Sequence, residues 1–182
     1  MTGSSCRTVV FSLGSNLGDR MANLQQGLDM LCGGGLACTE VSGVYQTDPV
    51  GGPDQGDFLN AVLLAESSLS ARDILERCLA TESAAGRVRS VRWGPRTLDV
   101  DIIACGDEVS AGPQLILPHP RAHERAFVLL PWLEIAPQAV LPGRGLVAGL
   151  LPEVDSTGVR RLPQLRLTLP ALRCEGVAGQ CK

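Results

Sequence analysis

Two strand-like stretches, residues 41–46 and 58–66, follow one another with no helical stretch between them. That adjacency constrains the fold more than any other feature, because doubly wound α/β proteins alternate strand and helix throughout. Around it the periods are legible. Thr8 to Leu13 is an apolar run delivered into the turn Gly14-Ser15-Asn16, a strand by its composition and its terminator. After Asp19, Met21, Leu24, Leu28 and Leu31 recur near helical spacing until Gly33-Gly34-Gly35 stops them. Val41, Val44 and Tyr45 lie in the second strand, Thr47 to Asp57 is dense in turn formers, and Phe58 to Glu66 is the third strand. Ser70, with Asp73 three residues on, caps a helix that puts Ile74, Leu75, Cys78 and Leu79 on one face and ends near Gly86. A strand from Leu98 to Ala104 closes the series. The order strand–helix–strand–strand–helix–strand is that of the split βαβ. The expected fold class is α+β: a ferredoxin-like, antiparallel-rich sheet with helices packed on it.

Further along, Gly106-Asp107 reads as a tight turn, and a short strand ends at Leu117. Pro118-His119-Pro120 breaks the chain, and Phe127 to Ile135 reads as a buried helix stopped before Pro137. Gly145 to Leu151 reads as one more short helix. The 182 residues suffice for one domain of ordinary size, and 45% apolar with 19% charged residues is globular composition. No apolar run approaches the roughly 20 residues of a membrane helix, and residues 1–7 lack the pattern of a secretory leader. The seven cysteines are odd in number and never spaced C-x-x-C. They read as reduced, mostly buried thiols of a cytoplasmic protein. A net charge of −3 argues against an extended nucleic-acid binder.

Chemistry concentrates in Trp93-Gly94-Pro95-Arg96-Thr97-Leu98-Asp99-Val100-Asp101-Ile102. Strand alternation puts Asp99 and Asp101 on one face, roughly 6.5–7 Å apart along the chain. Carboxylates that close repel unless a cation lies between them. Mg²⁺ fits, since it takes one or two carboxylates and leaves positions for substrate phosphate. Arg87, Arg89, Arg92 and Arg96 supply forked donors for phosphate oxygens. The alternative is a surface network in which these arginines merely pair with the aspartates. Gly14 to Asp19 has neither the P-loop nor the dinucleotide glycine spacing and carries no lysine, so it reads as a turn and helix start. His119 and His123 are four apart, but Pro118 and Pro120 disfavour the helix a zinc pair needs; phosphate or base contact and a plain loop histidine both stay open. Trp93, in a polar loop, packs on its own domain or stacks on a planar substrate.

Four blocks together resemble the 6-hydroxymethyl-7,8-dihydropterin pyrophosphokinase family. They are Ser12 to Asp19; Val44 to Thr47 with Phe58 to Val62; Arg92 to Ile103; and Leu117 to Arg121 continuing through Glu124-Arg125-Ala126-Phe127 to Pro137. The resemblance covers residues 8–162, leaving 163–182 as a loosely packed tail. It implies transfer of pyrophosphate from ATP to the pterin hydroxymethyl group in folate biosynthesis, with AMP released and two Mg²⁺ ions held by Asp99 and Asp101. Arg87 and Arg96 would act on the phosphates. Arg89, Ile102, His119, Arg125 and Glu82 would serve ATP. The pterin would lie between Phe58 and Phe127, be read by Thr47, Val50 and Asn60, and be covered by Trp93, with Asp99 also beside it. The partners implied are the two small-molecule substrates alone, for a monofunctional monomer without nucleic acid or membrane. Three departures stand out: Phe58 where the family often has tyrosine, an arginine flap one residue shorter than in some members, and Leu79 where some carry a glutamine near ATP. Two other classes compete: a pterin- or nucleotide-binding protein without catalysis, and a Mg²⁺-dependent nucleotidyl or glycosyl transferase.

Overall fold

The computed structural model describes residues 6–49, 55–86 and 94–171. Its elements run β1 (Arg7–Ser15), α1 (Arg20–Leu31), β2 (Leu36–Val41), β3 (Val44–Thr47), β4 (Phe58–Ser67), α2 (Ala71–Ala84) and β5 (Asp99–Cys105). There follow β6 (Ser110–Ala111), β7 (Ile116–Leu117), α3 (Ala126–Ile135), β8 (Val140–Leu141), β9 (Gly145–Leu146), α4 (Val147–Leu150) and β10 (Val159–Leu162). A six-stranded sheet has the order β10-β3-β4-β1-β5, with β2 also pairing β4. Because β4 is antiparallel to both β1 and β2, β1 and β2 run parallel with β4 inserted between them. Likewise β4 and β5 run parallel around β1. These are two interleaved split βαβ units, the α+β arrangement expected from the element order.

Local chemistry sets the helix ends. The Asp19 side chain accepts from the Ala22 N–H, and the Ser70 side chain accepts from the Asp73 N–H, both N-caps. At the other end of α1, Arg77 of α2 donates to the carbonyls of Leu31 (2.9 Å) and Met30 (3.1 Å). A cation there satisfies carbonyls that have no helical partner and complements the helix dipole.

Alternation divides the core in two. One face of the sheet gives Val9, Phe11, Leu13, Leu63, Val100 and Ile102 to α1 and α2. The other gives Val10, Val62, Leu64 and Ile103 to α3, whose Val128, Leu129 and Trp132 cover them. That second face is capped over only part of its length. Ser12 and Gly14 on β1, Phe58 and Asn60 on β4, and Asp99 and Asp101 on β5 continue the same rows beyond α3 and line a cavity.

Several boundaries differ from the sequence expectation. β1 continues through Gly14 to Ser15 rather than turning at Gly14. The single strand expected over 41–46 is two, broken at Ser42, whose N–H donates to Val62 O and whose hydroxyl accepts from Val62 N–H, each at 2.9 Å. The helix expected over 145–151 is narrower, since Gly145 and Leu146 pair with β8 as β9 and only Val147–Leu150 is α-helical. Leu79 does not share the buried face of α2 but is 43% exposed and borders the cavity. The cysteines are not all reduced: Cys32 and Cys38 form a disulfide across the glycine turn, while Cys78 and Cys105 are buried thiols and Cys6 is an exposed one. That pairing depends on β2 turning back beside the end of α1, which the five-residue spacing does not announce. Nor do residues 163–169 trail loosely, while 172–182 lie outside the described residues. Leu167 is buried, Leu165 and Leu169 pack on the same core, and Thr168 and Gln25 exchange two hydrogen bonds.

Among the described residues, no helix is long and apolar enough to cross a membrane.

Candidate functional site

Strand register builds the site. Asn60 on β4, Gly14 on β1 and Asp99 on β5 are lateral neighbours in one row across three strands. A Cβ on Gly14 would lie 3.1 Å from Asn60 Oδ1 and 3.9 Å from both Asp99 Cβ and Phe58 Cδ1. The bare glycine therefore leaves an open floor between an amide, an aromatic ring and a carboxylate. The cavity above it measures about 680 Å³, large enough for a drug-sized ligand. Its lining includes Thr47, Phe58, Asn60, Glu82, Arg96, Asp99, Asp101, His119, Arg125 and Phe127.

The aspartates meet cations from two directions. Arg96 Nη1 is 2.7 Å from Asp99 Oδ2. Arg125 Nη1 is 3.1 Å from Asp101 Oδ2, and its guanidinium carbon lies 5.5 Å from the centre of the Phe127 ring. His119 Nε2 stands 3.8 Å from Asp101 Oδ2. Burial lowers the His119 pKa below its ordinary value against the opposing pull of Asp101. Its Nδ1 accepts from the Arg121 N–H at 3.1 Å, which leaves the proton on Nε2, facing the carboxylate. The His119 N–H donates to Ile103 O at 2.8 Å, so the Pro118–Pro120 break is stitched to the outer edge of β5.

Glu82 is 4% exposed, and its Oε1 accepts from the Val100 N–H at 2.9 Å. This α2 carboxylate thereby grips β5 between the two aspartates. Since Val100 turns its N–H outward, alternation turns that of Ile102 outward too. Ile102 and Asp101 border a second, smaller cavity of about 310 Å³ with Leu75, Leu115 and His119. Burial pushes the nearby Cys78 thiol up to about 12, with the Glu82 charge adding to it; it is a packing group, not a nucleophile.

On the other side of the floor, Asn60 Nδ2 donates to Thr47 Oγ1 at 2.9 Å. Phe58 and Phe127 are each partly exposed and border the same cavity. Of the residues expected from sequence, Thr47, Phe58, Asn60, Glu82, Arg96, Asp99, Asp101, His119, Arg125 and Phe127 thus converge, while Ile102 borders the adjoining cavity. Val50, Arg87, Arg89, Arg92 and Trp93 lie outside the described residues. His123 is not part of either cavity lining. Among the described residues, no group of three or more His, Cys, Asp or Glu side chains converges to hold a metal. A pair of carboxylates on one strand face is a sparser donor set, of the kind that suits Mg²⁺ completed by substrate oxygens.

Sequence reasoning missed three contributors. Gly14 looked like a turn residue, yet it is the floor. Asn16 clasps Arg96 by its backbone, donating to Arg96 O at 3.2 Å and accepting from Arg96 N at 2.8 Å. Its side-chain amide also reaches Gln55 Oε1 at 2.9 Å and Gly56 O at 3.3 Å. The turn Asp155 to Gly158 adds a wall beside Asp48. Only the Gly14-Ser15-Asn16 sequence at the end of β1 could have signalled any of these.

This fold and cavity define a nucleotide-dependent transferase of the α+β class, with aromatic rings at one end of a strand floor and paired carboxylates and arginines at the other. More narrowly, the chain belongs to the 7,8-dihydro-6-hydroxymethylpterin-pyrophosphokinase (HPPK) family, whose sequence profile matches residues 10–137. A 2-amino-4-hydroxy-6-hydroxymethyldihydropteridine pyrophosphokinase from Mycobacterium bovis is 49% identical over 160 residues, covering 81% of this chain and 84% of its own. The Mycobacterium leprae protein of the same name is 44% identical over 179 residues, covering 91% and 92%. That from Bacillus subtilis is 43% identical over 150 residues. In structure, the chain resembles Plasmodium falciparum HPPK-DHPS with a TM-score of 0.64 at 13% identity, a likeness of fold. It covers 45% of the length of that chain.

Proposed function

We infer that the larger cavity is where the family's reaction takes place. The reaction transfers a pyrophosphoryl group from ATP to the hydroxymethyl group of 6-hydroxymethyl-7,8-dihydropterin, releasing AMP, in folate biosynthesis, and the chain is an enzyme of that kind. The hydroxymethyl oxygen attacks the β-phosphorus, the bond from that phosphorus to the α-phosphate oxygen breaks, and the hydroxyl proton passes to solvent. Transfer of this type needs positioning and charge neutralisation more than covalent help from the protein.

The carrying observation is the row Asn60–Gly14–Asp99, which sets an aromatic and amide end against a carboxylate and arginine end on one strand floor. At the first end the pterin lies between Phe58 and Phe127, its edge read by Thr47, Val50 and Asn60, with Trp93 covering it and Asp99 beside it. At the second end Asp99 and Asp101 would hold two Mg²⁺ ions, which would supply charge neutralisation for the phosphates. Arg87 and Arg96 neutralise charge on the transferred group. Arg89, Ile102, His119, Arg125 and Glu82 serve ATP, with the smaller cavity beside Ile102 as the place for its base. The donor set suits this use: Arg96 and Arg125 pair with the two carboxylates and would be available to phosphate oxygens were a divalent cation held there. A monomer in the cytoplasm, where ATP is plentiful, completes the reading.

AMP release from ATP that depends on the pterin alcohol tests the assignment. Asp99→Ala and Asp101→Ala should each abolish it together with Mg²⁺-dependent nucleotide binding. Arg96→Ala should lower kcat by about 10²–10³-fold, the usual loss of a transition-state donor, with a much smaller change in ATP affinity. A weakened ATP affinity with normal turnover would overturn the role given to Arg96.

A further inference from the structure

β1 carries a glycine at a position where strand geometry asks for none. Gly14 pairs with Asn60 of β4 on one side and with Asp99 of β5 on the other. A glycine inside a sheet weakens it, and it often marks a bulge, a bend, or a place where another backbone or a ligand comes close. The irregularity between β1 and β5 falls at Val10 and Phe11, four residues away, and the pairing with β4 runs unbroken from Arg7 to Ser15. Gly14 is not one of the glycines with positive φ. The three atoms that a Cβ there would meet first all belong to side chains, so no second backbone needs the space. Close approach of a ligand is the reason left.

The surroundings of that space are held in place. Asn60 is 4% exposed, and its Nδ2 donates to the buried Thr47 hydroxyl at 2.9 Å, which leaves Oδ1 standing over the glycine. Asp99 Cβ and Phe58 Cδ1 complete the rim, each 3.9 Å from where a Cβ at 14 would lie. Neighbouring strands are about 4.8 Å apart, so the Asn60 and Asp99 backbones stand about 10 Å apart across β1, with bare backbone midway. A flat bicycle read at Asn60 that delivers its hydroxymethyl oxygen beside Asp99 has to cross that gap.

We propose that Gly14 is a specificity-determining residue for the pterin: the space left by its missing side chain is filled by the middle of the bound ring, which lies against the β1 backbone between Asn60 and Asp99. This rests on the reading that the pterin lies between Phe58 and Phe127 and is read by Asn60. A methyl group at 14 projects into the cavity and lifts the ring off its floor, with no other side chain having to move for the effect. The carboxylate end is spared, because 3.9 Å from Asp99 Cβ is an ordinary van der Waals distance. Two groups assigned to ATP lie further off still, Glu82 and His119 being bonded to the outer edge of β5 at Val100 and Ile103.

Steady-state kinetics of the full chain, with each substrate varied in turn, test this. Gly14→Ala should raise the KM for the pterin alcohol about 10–200-fold, the range for one methylene group in a binding pocket, with the ATP KM close to the parent value. Gly14→Ser, one atom larger, should raise it at least as much. Combination with Asn60→Ala separates filling the floor from pushing the amide. That change removes Oδ1, and the loss caused by Gly14→Ala should persist in its background. An unchanged pterin KM in a folded Gly14 variant overturns the proposal, as does an equal rise for both substrates. So does an effect of Gly14→Ala that vanishes with Asn60→Ala, since the methyl group then acts only through the amide. If neither Gly14 variant unfolds cooperatively in urea, the glycine serves the fold and the proposal fails as well. Asn60→Ala alone separates the two levels. If it leaves the pterin KM unchanged, the placement of the pterin fails; if it raises that KM while the Gly14 variants do not, only the present inference fails.

Discussion

Gly27 sits on the buried face of α1, and a Cβ built there would meet Leu98 Cδ2 at 2.7 Å and Cδ1 at 2.9 Å. Leu98 is fully buried and directly precedes Asp99, so this contact seats the strand that carries both aspartates. Gly27→Ala has two opposed effects. Replacing glycine by alanine inside a helix favours folding by about 1 kcal/mol. Overpacking a full core costs about 1–3 kcal/mol. The net expectation is a loss of about 0–2 kcal/mol, and the sign depends on Leu98 alone. Leu98→Ala by itself should cost about 2–5 kcal/mol, the range for leucine truncation in a core. In that background the methyl groups that clash with residue 27 are gone, and Gly27→Ala should become stabilising by about 1 kcal/mol. Urea unfolding of the four proteins gives the cycle, with midpoints compared at constant m-value. Gly27→Ala having the same effect in both backgrounds, or stabilising the parent by its full helical gain, would refute the reasoning. Because Leu98 must yield, the single variant should also lose turnover beyond its loss of stability, whereas a variant distant from β5 would not.

Other outcomes follow from the same structure. Burial pushes the Tyr45 hydroxyl from 10.0 up to about 12, with its hydrogen bond to Glu134 adding to the shift. A raised folded value means its stabilising contribution is complete below pH 10 and lost as pH rises through about 12. Tyr45→Phe should flatten that alkaline decline, read by thermal unfolding against pH. The hydrogen bond from Arg161 holds the Glu134 carboxyl below its ordinary value, with Tyr45 helping. Its contribution is therefore present above the ordinary carboxylate pKa and lost as pH falls through the depressed one; Glu134→Gln should remove that acid step. Breaking the Cys32–Cys38 disulfide should cost about 2 kcal/mol for so short a loop. Unfolding with and without a thiol reductant measures this, and a Cys32→Ser/Cys38→Ser variant should be insensitive to the reductant.

What the sequence determined by itself was whatever short-range physics controls. The helical recurrence from Met21 to Leu31, the cap at Ser70, and the placing of Asp99 and Asp101 on one face need only a few neighbouring residues, because the periods of helix and strand are local. The adjacency of two strands before a helix was enough to choose α+β over strict alternation. Family resemblance supplied the candidate residues on strands and loops, including Thr47, Asn60 and Arg125, which no spacing rule singles out and which line the cavity. The tertiary structure decided what depends on register and on distant partners. Gly14 became a floor because β4 and β5 flank β1 at that one row. The cavity exists where it does because α3 covers Val10, Val62 and Ile103 and stops short of Ser12, Asn60 and Asp99. Cys32 found Cys38, Leu167 found the core beneath α1, and Gly158 found Asp48 through contacts that close long stretches of chain or hinge on a turn's geometry. Such contacts are favourable only once the sheet is assembled, so no local pattern carries them. The short motif around Asp99 thus pointed to the chemistry, and the register of three strands decides which groups stand beside its carboxylates.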